Sequence, residues 1–137
     1  NLIGKYAVLG LHEKYNSASM LTEMGKYPDR IQMHFFEDFL KETTSFDKAF
    51  NECLNFTDGI CGLEIDLDCI SGALASAMTP TGFSVEQIRE LIFQSKPHKF
   101  KYLHLTEGAE KLDNGLENRI TGKLISYLIT DFIKAQH

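Results

Sequence analysis

No run or stripe of basic residues occurs in this chain, and its formal net charge is -5. Phosphate backbones are gripped by clustered Lys and Arg, so no nucleic-acid partner is expected. No apolar stretch approaches the length of a membrane span, so no membrane partner is expected either. Cysteine is scarce: Cys53, Cys61 and Cys69 make an odd number, and no C-x-x-C pair exists. That pattern excludes a disulfide framework and a zinc knuckle. Cys61 lies in an apolar run and reads as a small core residue. This cysteine usage fits a reducing, cytoplasmic compartment. An initiator Met and a signal-peptide pattern are also missing; the chain opens at Asn1-Leu2-Ile3-Gly4 and reads as part of a longer protein. Internal repeats, low-complexity segments and a visible domain boundary are absent as well.

What is present describes a soluble globular domain. The 137 residues are 43% hydrophobic and 24% charged, enough for one sizeable core. Four apolar runs read as strands: residues 5–11 (KYAVLGL), 30–36 (RIQMHFF), 60–66 (ICGLEID) and 99–107 (KFKYLHLTE). Helical periodicity falls between and after them. A first helix, capped by Asn16 or Ser17, runs to about residue 26, and a second runs from Thr44 or Ser45 to about residue 56. Thr57-Asp58-Gly59 is a turn. A third helix opens on a capping box, Ser84 with Gln87, and reaches about residue 95. The last spans about 118–135, with Ile120, Leu124, Ile125, Leu128, Ile129, Phe132 and Ile133 on one broad apolar face. Apolar strands alternating with amphipathic helices predict an α/β fold, a parallel four-stranded sheet between two helical layers.

In open α/β sheets ligands bind beyond the C-terminal ends of the strands. That rule selects His12-Glu13-Lys14, Glu37-Asp38, Asp66-Leu67-Asp68 and Thr106-Glu107. Asp66 and Asp68 are the most informative. Side chains two apart on an extended chain share a side, so the carboxylates can converge. Two anions at the end of an apolar strand repel one another and resist desolvation; a divalent cation removes both problems, and an oxygen-rich site suits Mg, Ca or Mn. A solvated acidic turn explains the same pattern without a metal, and both readings stand on the residues alone. Glu107 can bind a cationic group or orient a water, or be a surface residue at a strand end. Glu64 reads as structural. His34 and His104 alternate with apolar residues and read as core or interface histidines. His12, at a strand end, is a weaker substrate-site candidate.

Leu63-Glu64-Ile65-Asp66-Leu67-Asp68 is similar to the S-x-D-x-D block of the arginase, agmatinase and formimidoylglutamase (ureohydrolase) family. The loop Ala75-Ser76-Ala77-Met78-Thr79-Pro80-Thr81-Gly82-Phe83 resembles the family's small-residue loop. Tyr102-Leu103-His104-Leu105-Thr106-Glu107 resembles the strand that ends in its substrate-contacting glutamate, and Thr121-Gly122-Lys123-Leu124-Ile125 the helix that follows. The ordered set covers about residues 60 to 137. It implies the C-terminal half of one arginase-like α/β domain, residues 1–137, whose N-terminal half would be a partner carrying the remaining ligand motifs, G-H-x-D and D-A-H-x-D. It further implies a binuclear Mn(2+) centre that acidifies a water to attack an amidine or guanidine carbon. In that scheme Asp66 bridges both ions, Asp68 binds one, Thr79 helps position the substrate and Glu107 acts on its nitrogen end. Family members are often oligomers, so a homo-oligomer is open.

Two departures stand out. Cys69-Ile70-Ser71-Gly72 follows the D-x-D where the family has Asp-Pro, and Gly108-Ala109 follows the glutamate where the family has x-Asn-Pro. The loop His12-Glu13-Lys14-Tyr15-Asn16 offers a lysine in place of the arginase acidic pattern. Lys14 and Asn16 suit a substrate with an extra carboxylate, which favours a formimidoylglutamase-type branch over arginase or agmatinase. A non-catalytic metal-binding or interaction domain is the alternative of a different class.

Overall fold

The computed structural model describes residues 4–57 and 59–137; the opening Asn1-Leu2-Ile3 and the Asp58 of the expected turn lie outside them. Each apolar run forms a strand, shorter than the run itself. The strands are β1 (Tyr6–Leu11), β2 (Ile31–Phe35), β3 (Leu63–Asp66) and β4 (Leu103–Thr106). The helices are α1 (Ala18–Met24), α2 (Phe36–Leu40), α3 (Phe46–Thr57), α4 (Val85–Gln94) and α5 (Ile120–Gln136). The chain divides into two compact units, up to Gly59 and from Ile60 on.

In the first unit β1 and β2 pair in parallel, Tyr6 opposite Ile31 and Leu9 opposite His34. The register shifts between Leu9 and Leu11. The residue between them is Gly10, at φ 92°, a left-handed conformation that a side chain resists. The amphipathic helix α3 packs on both strands and buries Ala49, Phe50, Cys53 and Leu54. Ser45 caps it, its hydroxyl accepting from the Lys48 amide at 3.2 Å. Helix α2 was not expected from the sequence; it is a single short helix of five residues directly after β2.

In the second unit β3 and β4 pair in parallel, Leu63 with Leu103 through Asp66 with Thr106. The connection carries α4, whose predicted capping box is present in both directions. Helix α4 packs on α5, and α5 on β4. Leu67, Ile70, Leu74, Ile92 and Leu128 are sealed in its core.

The α/β class with parallel strands is therefore as expected. The single four-stranded sheet is corrected: among the described residues the strands form two separate parallel pairs. Each helix-bearing crossover joins strands consecutive in the chain, so each ladder closes within its own unit. The apolar face of α5 is corrected too. The seam it buries is Thr121, Leu124, Leu128, Asp131 and Ala135, while Ile120, Ile129 and Ile133 stand exposed. Asp131 sits in that seam because Arg89 of α4 grips it with two hydrogen bonds, 2.6 Å from Nε and 3.3 Å from Nη2. The Arg89 guanidinium also lies over the Tyr127 ring, 5.1 Å from its centroid.

Candidate metal and substrate site

Asp66 ends β3 and Glu107 follows the last residue of β4, and Asp66 is paired with Thr106 across the ladder. The two carboxylates thus emerge at the same edge of one parallel pair. After Asp66 the chain turns at once into a 3-10 turn, Leu67–Cys69, and the Asp66 side chain caps it, accepting from the Asp68 amide at 3.0 Å. Leu67, 1% exposed, anchors the turn in the core. With the Leu67 side chain turned into the core, its two flanking aspartates stay on the outer side.

The small-residue loop packs back over this turn. Phe83 donates its amide to the Cys69 carbonyl at 2.9 Å, and Ile70 and Phe83 form a parallel bridge. Ala75 and Gly108 bridge in antiparallel fashion, and the Ala109 amide reaches the Leu74 carbonyl at 2.9 Å. A Cβ at 108 would sit 2.3 Å from Cδ1 of the buried Leu67, so a side chain there would force Leu67 to move.

The loop delivers Ser76 and Ala77 to the carboxylates. The Ala77 amide donates to Asp68 Oδ1 at 3.1 Å. The Ser76 hydroxyl donates to Glu107 Oε2 and lies 3.4 Å from Asp68 Oδ2. The Ser76 amide donates to the Glu107 carbonyl at 3.2 Å. Glu107 itself has φ 63°, a left-handed backbone costing a side-chain-bearing residue roughly 1–2 kcal/mol. Strain of this kind is typical of functional positions. Burial, and then the charges of Asp66 and Glu107, push the Asp68 carboxyl above its ordinary value, against the lowering hydrogen bonds from Ala77 and Ser76. Three carboxylates held this close invite a cation.

Whether these residues fit manganese is a question of donor count. Asp66 Oδ1 and Asp68 Oδ1 each already accept a hydrogen bond from a backbone amide, but an ionised carboxylate offers about four lone-pair sites, so both side chains can still ligate. Hard oxygen donors suit Mn(2+). Yet among the described residues no group of three or more His, Cys, Asp and Glu is arranged to hold a metal ion, although Asp66, Asp68 and Glu107 interact through their charges. Proximity of charge is a looser condition than ligation, and the ligand geometry decides here. The aspartates fit as part of an oxygen-rich ligand set and do not complete one.

Thr79, expected to help position a substrate, keeps its hydroxyl within its own loop: it donates to the Thr81 carbonyl at 2.7 Å and accepts from the Thr81 amide at 3.2 Å. Ser76 was not singled out in the sequence. The signal that could have found it is its place in a loop of small residues between two strand-end carboxylates.

In the first unit, His12 and Glu37 follow β1 and β2. His12 Nδ1 lies 3.3 Å from Glu37 Oε1, and the Glu13 amide donates to Glu37 Oε2 at 3.2 Å. Burial works to raise the Glu37 carboxyl, but the amides of Glu37 and Glu13 and the His12 contact outweigh it and hold it below its ordinary value. Asn16 accepts from the His12 amide at 2.9 Å. Lys14 is exposed. His34 Nε2 is buried without a hydrogen-bond partner among the described residues, 3.8 Å from Glu52. His104 is exposed and so not a core histidine; it lies 3.8 Å from Glu64, which also accepts from the Tyr102 hydroxyl at 3.1 Å. Cys61 is half-buried and Cys53 is the buried thiol. Burial chiefly pushes the Cys53 and Cys69 thiols up to about 12, so both stay protonated and unreactive at neutral pH. Among the described residues no helix is long and apolar enough to cross a membrane.

No protein-family model and no curated protein sequence matches the chain. Solved structures do. A formimidoylglutamase from Bacillus subtilis superposes with a TM-score of 0.77 at 15% identity, over 94% of this chain and 41% of that one. A formiminoglutamase variant from Trypanosoma cruzi solved with Mn2+ gives 0.77 at 12% identity, over 94% and 42%. An arginase superfamily protein from Trypanosoma cruzi gives 0.77 at 12% identity, over 96% and 43%. The chain thus shares the fold of these proteins and spans less than half of their length.

Proposed function

We propose that the protein to which this chain contributes hydrolyses non-peptide C–N bonds in linear amidines with manganese, and that its substrate is N-formimidoyl-L-glutamate, split by water into L-glutamate and formamide. The observation that carries this reading is the placement of Asp66, Asp68 and Glu107 at one end of a parallel strand pair, where Ser76 and Ala77 hold Glu107 and Asp68 and the Asp68 amide holds Asp66. The likeness in fold to the two glutamate-amidine hydrolases supports it. Bound manganese would lower the pKa of water enough to supply a nucleophile near neutral pH. Asp66 and Asp68 would hold the ions. Glu107, an anion at the strand end, would pair with the cationic amidine and orient its carbon toward that water. Formimidoylglutamate carries two carboxylates where arginine carries one, and the exposed Lys14 is the cation proposed to favour it.

Turnover of formimidoylglutamate by the complete protein, read together with bound manganese, tests the assignment. Asp66→Ala is expected to lose both activity and metal. Glu107→Ala is expected to retain the metal and lose most activity. Normal turnover in Asp66→Ala would overturn the reading. The second reading is a non-catalytic metal-binding or interaction domain. Upstream sequence that carries G-H-x-D and D-A-H-x-D would support the enzyme, and upstream sequence without them the second reading.

A further inference from the structure

We infer that Ser76 is a positioning residue that fixes Glu107 for the substrate; the inference rests on the substrate-contacting role proposed for Glu107. A glutamate has three side-chain torsions and, at an exposed strand end, would sweep through solvent. Here two bonds from one residue stop it. The Ser76 amide holds the Glu107 carbonyl, and the Ser76 hydroxyl holds its Oε2. The backbone on either side is strapped by the Ala75–Gly108 bridge and the Ala109–Leu74 hydrogen bond. The hydroxyl has one proton for two carboxylates. Glu107 makes the shorter contact and takes it, while Asp68 Oδ1 is held separately by the Ala77 amide. The two carboxylates are therefore fixed by neighbouring but distinct donors, and removal of the Ser76 hydroxyl frees Glu107 while Asp68 keeps its amide bond.

Two measurements test this. In the metal-free chain, unfolding equilibria of Ser76→Ala, Glu107→Ala and the double variant form a cycle. A coupling of about three- to tenfold in the folding equilibrium constant is expected for a net side-chain hydrogen bond; additive effects would overturn the proposal. In the manganese-loaded complete protein, Ser76→Ala is expected to retain its metal and to raise KM for formimidoylglutamate about tenfold. Ser76→Thr, which keeps a hydroxyl at an exposed position, is expected to restore it. Coupling in the cycle with an unchanged KM would show a purely structural bond and would overturn the positioning role. A wild-type protein with no turnover would sink the proposed function instead, and the latch would then stand or fall on the cycle.

Discussion

At the scale of single residues, the site is a set of carboxylates held together against their own repulsion. Asp68 shows the effect. Its carboxyl is raised above the ordinary value of 3.8 by burial and by the charges of Asp66 and Glu107. The folded chain therefore binds its proton more tightly than the unfolded one. Stability contributed by that proton is present at low pH and is lost as pH rises through the raised value. Asp68→Asn is expected to remove this slope and to stabilise the metal-free chain at pH 7, because an amide can still accept from Ala77 and donate to the Ser76 oxygen. Urea titrations across pH 3 to 7 check it; a wild-type and variant with parallel curves would contradict it. Glu37, held below its ordinary value of 4.5, works in the opposite direction, its share being lost as pH falls. Glu107 offers a second test. Both Glu107→Ala and Glu107→Gly lose the carboxylate, but only glycine relieves the left-handed backbone. The glycine variant is expected to be more stable than the alanine variant by about 1 kcal/mol, the reverse of the usual order in regular structure. The two aspartates and Glu107 were legible because strand ends and a two-residue spacing locate them. Ser76 was not, because a loop contact depends on where the chain folds back, and no periodicity encodes that.

At the scale of elements, the reading of helices succeeded where a cap or a long period marked them. The Ser84–Gln87 box is one such case. Helix α2 escaped because five residues cannot display a 3.6-residue period. On α5 the abundance of Ile suggested a wide apolar face, whereas the buried seam includes Thr121 and Asp131. The reason is a partner outside the element: Arg89, from α4, neutralises Asp131 in place. Asp131 is 3% exposed, while the guanidinium is reached by water, so the pair is asymmetric. Removing the arginine strands a carboxylate in the core, whereas removing the aspartate leaves a cation that solvent accommodates. Arg89→Ala is expected to lower the urea midpoint more than Asp131→Leu does, and the double variant is expected to resemble Asp131→Leu. Equal losses from the two single variants would show that the bond has no such asymmetry.

At the scale of the whole molecule, the parallel α/β class could be read from alternation alone. The division into two strand pairs could not, since sequence patterns state which residues face a core and not which edges meet. The proposed metal site follows the same logic. Asp66 and Asp68 supply too few ligands for a full shell, and affinity depends on the completed shell. Calorimetry of Mn(2+) with this chain alone is therefore expected to show weak binding; tight stoichiometric binding would contradict the partial-site reading. The topology also sets what brings the carboxylates together. Tyr6 finds Ile31 across a modest stretch of chain, but Leu63 must find Leu103 across a longer one. Loop closure grows costlier with length, and distant parallel pairings form slowly. The carboxylates of Asp66 and Glu107 are brought together only by this longer pairing, so a chain in which β3 and β4 have not zipped holds them apart and mutually unrepelled.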